Sequence, residues 1–160
     1  LYHKTRIYGT DMNNKVIAQA GTRRFPLRQM QQYTKNYLSS GGMKAFSEYY
    51  AVKDDDVVFH SFLADNLVFS QHNLVTDHSF NEFHVIICRN VLIYFNEFMQ
   101  SRVLQLFNDS LVPSGWLGLG RREGIRHGRN GVFTAIDPLE KIYQKSNSLN
   151  GEEIDDGEKS

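Results

Sequence analysis

Apolar residues occur in short runs in the second half of the chain, separated by a segment with helical spacing. The clearest run, Phe83–Cys88, is short and rich in β-branched residues, which is typical of a parallel strand buried on both faces. Trp116–Leu119, behind a turn at Pro113-Ser114-Gly115, predicts a second buried strand. Between the two strands, Asn96 is placed to cap a helix. Five apolar residues follow this cap at helical spacing: Phe98, Met99, Val103, Leu106 and Phe107.

The first half of the chain predicts shorter elements. Asn13 or Asn14 can cap a helix that ends near Gly21, and Asp54-Asp55-Asp56 marks a turn between aromatic and β-branched residues. In chain order we expect a strand at 6–10 that ends at Asp11, a helix to about residue 20, a turn at 24–27, a helix at 27–38, short strands within 46–62 and a strand at 67–72.

The alternation of strands and helices indicates an α/β fold with a doubly wound, mostly parallel sheet. Two short runs, 133–136 and 141–144, flank Asp137-Pro138 and predict an antiparallel hairpin that closes the sheet. The short strands within 46–62 predict a small β insertion. Residues 147–160 are rich in acids and contain no apolar run, so we expect them to form an acidic flexible tail.

Composition places the chain among single globular domains. With 160 residues, 41% of them hydrophobic, it is long enough to bury a core, which excludes wholesale disorder. The 18 basic and 18 acidic residues balance, so charge does not indicate general nucleic-acid binding. No apolar run has the length of a transmembrane helix, and we expect no signal peptide. The single cysteine excludes an internal disulfide and favours a reducing cytoplasm.

Polar residues follow two of the predicted strands at their carboxyl ends. Asp11 follows the first strand, and the pair Arg89-Asn90 follows Phe83–Cys88. Ligands of open α/β sheets bind at this edge, so these residues are candidates for a ligand site. The alternatives are structural: Asp11 as a helix cap, and Arg89-Asn90 as polar capping of the sheet edge.

Histidine and cysteine do not predict a site of their own. His72, His78 and His84 are spaced by six, and neither helix nor strand geometry brings such a spacing together on a metal, so no metal site is predicted. Cys88 lies in an apolar strand and is more typical of a small core residue than of a nucleophile. The chain offers no Ser-His-Asp or Cys-His arrangement, which argues against a hydrolase.

The block from Ile87 to Phe95, with the sequence Ile-Cys-Arg-Asn-Val-Leu-Ile-Tyr-Phe, resembles the signature of the chemotaxis receptor methyltransferases. These are S-adenosyl-L-methionine-dependent protein-glutamate O-methyltransferases. The resemblance covers most of residues 6–145 and implies a Rossmann-like sheet, with a partial methyltransferase domain at 1–146. Within that domain, 42–62 lies where the family carries a small β-subdomain that contacts the receptor. The likeness includes Thr10-Asp11, Phe25-Pro26-Leu27, the run from Phe69 to Leu74, the run from Pro113 to Leu117, and the run from Ile142 to Lys145.

The resemblance also implies roles for individual residues. Asp11 is similar to the acid that bonds the adenosine part of the cofactor, and Asn73 and Leu74 resemble the pair beside the adenine. Arg89 and Asn90 resemble the pair beside the sulfonium and the amino-acid end. The residue similar to the tyrosine near the transferred methyl is Tyr94, which with Arg89 makes up the expected catalytic pair.

The cofactor implied is S-adenosyl-L-methionine, with S-adenosyl-L-homocysteine as its product. The implied partner is a methyl-accepting chemotaxis receptor with Glu-rich cytoplasmic helices, with no nucleic acid and no membrane insertion. Two other functions stay open. One is a non-catalytic methyltransferase-like signalling module that binds a protein partner. The other is a methyltransferase of the same fold acting on nucleic acid, against which the chain has no Asn-Pro-Pro-Tyr-type motif.

Two departures from the family pattern qualify this interpretation. The family's Gly-rich first motif and its helical N-terminal domain would precede Leu1, so we expect the 160 residues alone to bind the cofactor weakly or not at all and to be inactive. The family usually has Gly-His-Ser-Glu after the strand Trp116–Leu119, whereas this chain has Gly120-Arg121-Arg122-Glu123. The basic segment Arg121–Arg129 fits an acidic partner, a nucleic-acid backbone or a solvated loop.

Overall fold

The computed structural model describes residues 2–125 and 132–146. The chain divides into two compact units, Leu1–Asn73 and Leu74–Ser160. The predicted tail at 147–160, and residues 126–129 of the basic segment, lie outside the described residues. Among the described helices, none has the length and apolarity to span a membrane.

The first unit holds a parallel strand pair and a small antiparallel sheet. Its elements are β1 (Ile7–Asp11), α1 (Asn14–Gly21), β2 (Arg24–Pro26), α2 (Met30–Ser39), β3 (Tyr50–Lys53), β4 (Asp56–Phe59) and β5 (Leu67–Gln71). β1 and β5 pair in parallel, with Asp11 opposite Gln71. Of the two predicted caps, Asn13 and Asn14, the structure has Asn13 at the start of α1, where its side chain accepts the Lys15 N–H at 2.9 Å.

The small sheet has the strand order β2-β4-β3 and is antiparallel throughout. The predicted turn at 24–27 is wrong for its first three residues, which form β2. The Phe25 ring meets the rings of Phe59 and Tyr33 edge-on, so aromatic packing fixes this segment against β4. Pro26 is accommodated because β2 is an edge strand, where a missing N–H leaves no ladder bond unmade.

The second unit is built on a four-stranded sheet. Its elements are β6 (Phe83–Cys88), α3 (Glu97–Ser110), β7 (Leu111–Leu119), β8 (Phe133–Asp137) and β9 (Ile142–Lys145). The strand order is β6-β7-β9-β8, with β6 and β7 parallel and the other pairs antiparallel. The predicted α/β class, with parallel strand pairs, a closing antiparallel hairpin and a small β insertion, is confirmed.

The core of the second unit lies between α3 and one face of its sheet. Val103 and Phe107 of α3 are buried against Leu117 of β7. Asn96 caps α3 by accepting the Met99 N–H at 2.9 Å, as predicted. Phe98 lies on the other side of the helix and is 76% exposed, so it does not contribute to this core as its spacing predicts.

The prediction that β6 is buried on both faces is wrong. Cys88 is buried, whereas Val85 and Ile87 are 55% and 73% exposed. Successive side chains of a strand point to opposite faces, and Val85 and Ile87 lie on the face opposite that of the buried Cys88. The predicted turn at 113–115 is an irregular part of β7, where the register with β6 shifts between Phe83 and Val85.

Candidate active site

The residues predicted to form the site are divided between the two units. Asp11 and Asn73 belong to the first unit, whereas Leu74, Arg89, Asn90 and Tyr94 belong to the second. The structure therefore brings them together in two groups.

In the first unit, Asp11 lies at the carboxyl end of the parallel pair β1/β5. Its backbone carbonyl accepts the His72 N–H at 3.1 Å, and Asn73 lies two residues beyond Gln71, the last paired residue of β5. One carboxylate oxygen of Asp11 accepts the Asn13 N–H at 2.7 Å. The side chain is half-exposed, and the cap of α1 is Asn13 rather than Asp11. The arrangement leaves a carboxylate accessible at a ligand-binding edge of the strand pair.

In the second unit, the chain leaves the carboxyl end of β6 in an irregular loop, residues 89–95, which we call the 89–95 loop. Arg89 and Asn90 are exposed at its start, and Asn90 has a φ of +61°, a left-handed conformation that Asn adopts more readily than most residues. A 3-10 turn follows at Leu92–Tyr94. Leu92 is buried in the core, whereas Tyr94 is 80% exposed. The turn thus anchors the loop through Leu92 and presents the Tyr94 ring outward.

The carboxylate of Glu123 holds the backbone of this loop from below. Its Oε1 accepts the N–H groups of Val91 at 2.8 Å and Leu92 at 2.7 Å. Its Oε2 accepts the N–H groups of Asn90 at 2.9 Å and Gly120 at 2.5 Å. Glu123 is only 6% exposed. Burial raises the pKa of its carboxyl, but the four N–H donors outweigh burial and hold the pKa below its ordinary value, so the group is ionised at neutral pH.

The carbonyl side of the loop is held by α3. Gln100 Nε2 donates to the backbone oxygens of Leu92 at 3.0 Å and Phe95 at 2.9 Å. Leu92 is therefore fixed from both directions, through its N–H by Glu123 and through its C=O by Gln100.

Gly120 is the point where the turn after β7 meets the 89–95 loop. A Cβ at this position would lie 2.6 Å from Glu123 Oε2 and 2.8 Å from Asn90 Oδ1. Such distances are well inside van der Waals contact, so glycine is the residue that fits without displacing the carboxylate.

Sequence reasoning missed the role of Glu123, Gly120 and Gln100. In the sequence, the run Gly120-Arg121-Arg122-Glu123 was a departure from the family pattern, because its two middle residues differ from those of the family's Gly-His-Ser-Glu. In the structure those two arginines are exposed, while the shared Gly and Glu make the contacts with the loop. The signal available in the sequence is the pair Gly120 and Glu123 itself, because these are the two residues of the run that match the family's Gly-His-Ser-Glu.

Leu74 and Cys88 both pack in or against the apolar core of the second unit. Leu74 is half-buried and packs against the core of the second unit. Burial, followed by the nearby negative charge of Glu123, raises the pKa of the Cys88 thiol to about 12, so this cysteine is a protonated core residue. Among residues 2–125 and 132–146, no three His, Cys, Asp or Glu side chains group as metal ligands would.

The described residues fit S-adenosylmethionine in chemical type. A half-exposed carboxylate at the end of β1 is an acceptor for ribose hydroxyls. The exposed Arg89 and Asn90 supply guanidinium and amide groups suited to a carboxylate and an ammonium group. The exposed ring of Tyr94 lies on the same loop.

Comparison with known proteins gives consistent matches. The family described as CheR methyltransferase, SAM binding domain, matches residues 2–141. A putative methyltransferase, Cher3, from Pseudomonas putida is 37% identical over 149 residues, which cover 91% of this chain and 54% of that protein. A chemotaxis protein methyltransferase from Listeria innocua is 32% identical over 119 residues, covering 74% of this chain and 42% of that protein. The chain spans about half the length of the curated relatives it matches.

A solved structure also shows a distant likeness. The N-methyltransferase NodS from Bradyrhizobium japonicum, in complex with S-adenosyl-L-homocysteine, aligns with a TM-score of 0.41 at 14% identity, covering 71% of this chain and 40% of that one. At this distance the likeness carries no assignment.

Proposed function

Because the chain belongs to the CheR methyltransferase family, through its SAM-binding domain, we propose that it takes part in methylating glutamate side chains of chemotaxis receptors. The cofactor of this family domain is S-adenosyl-L-methionine. The glutamate substrate is supported by relatives named chemotaxis protein methyltransferase and by the block from Ile87 to Phe95. The observation that carries the proposal is the 89–95 loop, which a buried carboxylate fixes while Arg89, Asn90 and Tyr94 stay exposed.

Five residues are proposed to hold the cofactor. The carboxylate of Asp11 accepts hydrogen bonds from the adenosine part, and Asn73 and Leu74 lie beside the adenine. Arg89 and Asn90 bind the amino-acid end. When bound, S-adenosyl-L-methionine supplies a methyl group activated by a positively charged sulfur.

The residues of this chain are required to orient the glutamate carboxylate and the methyl group, and not to activate the carboxylate as a nucleophile. A glutamate carboxylate has an ordinary pKa of about 4.3 and is already ionised at neutral pH, so a general base is not required to make the nucleophile. Displacement at a methyl group depends on alignment, and alignment is worth a large share of a barrier in such reactions. Tyr94 and Arg89 are proposed to align the incoming carboxylate, Arg89 by charge and Tyr94 by its hydroxyl.

The proposed partner is a methyl-accepting chemotaxis receptor in the cytoplasm. The small antiparallel sheet of β2, β4 and β3 is the proposed receptor-contacting surface; β3 and β4 lie within the predicted 42–62 segment, and β2 adds a strand from outside it. Arg121 and Arg122 are exposed and suit Glu-rich receptor helices. Arg121 already pairs with Glu140, with 2.6 Å between Nη2 and Oε1, and an exposed pair of this kind is weak enough to exchange partners.

The test is transfer of labelled methyl groups from S-adenosyl-L-methionine to a receptor cytoplasmic fragment by the full-length gene product. We expect label in base-labile form, as a glutamyl methyl ester. A receptor fragment with its methylation-site Glu residues changed to Ala is the matched control and should take up no label. Labelling that survives base, or that persists in the control, would contradict the proposal. Cofactor binding without any transfer would favour the non-catalytic signalling module instead.

A further inference from the structure

We propose that Glu123 is a positioning residue for the cofactor site: its carboxylate fixes the backbone of residues 90–92 in the conformation that presents Arg89 and Asn90 to the cofactor. The inference rests on the cofactor assignment within the proposed function and does not depend on the identity of the methyl acceptor.

Four backbone N–H groups occupy both oxygens of the Glu123 carboxylate. Two N–H groups donate to each oxygen, three of them from consecutive residues, Asn90 to Leu92, and the fourth from Gly120. A carboxylate has about four lone-pair sites, so these donors saturate it. A saturated carboxylate buried to 6% exposure has no acceptor left for a substrate proton. Its effect on the site is therefore exerted through the loop backbone.

The loop conformation needs this support. Asn90 has a φ of +61°, which is unfavourable for a residue with a Cβ and persists where surroundings hold it. Three successive N–H groups aimed at one anion form a concave backbone nest. The internal carboxylate thus occupies the nest and fixes the direction in which the side chains of Arg89 and Asn90 leave the strand end.

Charge, and not shape, is the property required of residue 123. Glutamine has nearly the same size as glutamate, but one of its oxygens is replaced by an NH₂ group. Whichever way the amide is turned, that NH₂ faces two backbone N–H donors. Two of the four bonds are then replaced by donor–donor contacts, so Glu123→Gln should release part of the loop while leaving the packing volume unchanged.

The matched control is Lys145→Met. Lys145 Nζ donates to the backbone oxygens of Asn108 at 2.7 Å and Leu111 at 2.6 Å, at the opposite end of α3 from the 89–95 loop. It is likewise a charged side chain that holds backbone groups in the second unit, and its removal should lower stability without touching the loop.

The experiment measures S-adenosyl-L-homocysteine binding to the full-length gene product by calorimetry, together with the melting temperature. We expect Glu123→Gln to raise the Kd per folded molecule by about tenfold or more, the scale of lost bonds to a charged group, while Lys145→Met changes it less than about twofold. In the methyl-transfer assay, Glu123→Gln should raise the KM for S-adenosyl-L-methionine more than it lowers kcat, since Glu123 touches no reacting group. Equal Kd values for Glu123→Gln and wild type, or equal losses in both variants, overturn the inference.

A measurement on the wild type keeps the inference testable if Glu123→Gln does not fold. Without cofactor, the amides of Asn90, Val91 and Leu92 should already exchange slowly with solvent, because Glu123 orders them in advance. Fast exchange that slows only when S-adenosyl-L-homocysteine is added shows that the cofactor orders the loop, and overturns the inference. Failure of receptor methylation with this binding pattern intact would refute the proposed substrate alone. A wild type that binds no S-adenosyl-L-homocysteine refutes the role of Glu123 together with the cofactor assignment for these residues.

Discussion

Glu123 accepts the backbone N–H of Gly120, three residues earlier, with its Oε2 at 2.5 Å. The turn after β7, residues 120–123, is therefore closed by a hydrogen bond between its first backbone N–H and the side chain of its last residue. Because β6 and β7 are parallel neighbours, their carboxyl ends lie at the same edge, and the same carboxylate reaches the 89–95 loop. One buried charge thus ties together the two loops at the edge where ligands of such sheets bind.

Gly120→Ala is expected to destabilise the protein. The added Cβ would lie 2.6 Å from Glu123 Oε2 and 2.9 Å from the Asn90 nitrogen, so either the carboxylate or the loop backbone must move. Overpacking of this kind costs about 1–3 kcal/mol, measured as the free energy of unfolding in urea.

The matched control is Gly124→Ala, four residues further along the chain. Its Cβ would meet nothing closer than the Tyr143 hydroxyl at 3.7 Å, which is ordinary contact. This change should be close to neutral. Equal effects at the two positions would contradict the close approach at Gly120.

Local signals in the sequence predicted most elements of the fold. The caps at Asn13 and Asn96 were identifiable because each bonds an N–H two or three residues away, so the information lies within one turn of helix. The apolar run Phe83–Cys88 likewise predicted a strand. Its exposure was not predictable, because burial of Val85 and Ile87 depends on what covers the sheet and not on their own identity.

The candidate site divides in the same way. The positions of Asp11 and Arg89 at strand ends follow from the order of the elements. The clamp on the 89–95 loop does not, since Glu123 lies 33 residues from Asn90 and the bonds go to backbone groups that any sequence has. The assignment of Asp11, Asn73, Leu74, Arg89, Asn90 and Tyr94 to the cofactor and methyl group stays a prediction.

Acid should remove the stabilisation that Glu123 provides. Its pKa in the folded protein lies below the ordinary value of 4.5, so the contribution is complete above the ordinary value and is lost as the pH falls through the folded pKa. Glu123→Gln has no group that titrates here. The melting temperatures of wild type and Glu123→Gln should therefore differ most near neutral pH and converge in acid; a constant gap at all pH values would show that the charge is not what stabilises the loop.

Cys88 should resist alkylation in the folded protein. Its thiol is 7% exposed, and burial and the charge of Glu123 raise its pKa from 9.0 to about 12. The thiolate fraction at pH 8 falls about tenfold for each step of one in pKa, roughly a thousandfold in all. Iodoacetamide labelling followed by mass spectrometry measures the rate, with the protein in denaturant as the control. Rapid labelling of the native protein at pH 8 would contradict the burial of this residue.

The same shift makes stability depend on pH. Because the pKa of the Cys88 thiol is higher in the folded than in the unfolded protein, its contribution to stability is fully present below the unfolded pKa and is lost as the pH rises toward 12.

Asp11→Ala is expected to weaken cofactor binding by about 1–3 kcal/mol, the scale of hydrogen bonds to a charged group, in the full-length gene product. Asp11→Asn is the matched variant. Its side-chain oxygen can still accept the Asn13 N–H that Asp11 accepts at 2.7 Å, but it lacks the charge. Calorimetry with S-adenosyl-L-homocysteine should show a loss in both variants, with melting nearly unchanged in Asp11→Asn. A lower melting temperature with unaltered affinity would make Asp11 a structural residue of the turn before α1.

Tyr94→Phe separates a role in methyl transfer from a role in packing. Tyr94 is 80% exposed at the end of the 3-10 turn, and the buried residue of that turn is Leu92. Removal of the hydroxyl should therefore leave the melting temperature unchanged. If the hydroxyl aligns the acceptor carboxylate, the methyl-transfer rate should fall while the Kd for S-adenosyl-L-homocysteine stays the same, which is the pattern of an interaction made in the transition state.

The control is the neighbouring change Ile93→Val, at a residue that is 44% exposed on the same turn. It should alter neither the methyl-transfer rate nor the Kd. A Tyr94→Phe protein that transfers methyl groups at the wild-type rate would remove this residue from the proposed site, and a parallel loss of cofactor affinity would move its role from the acceptor to the cofactor.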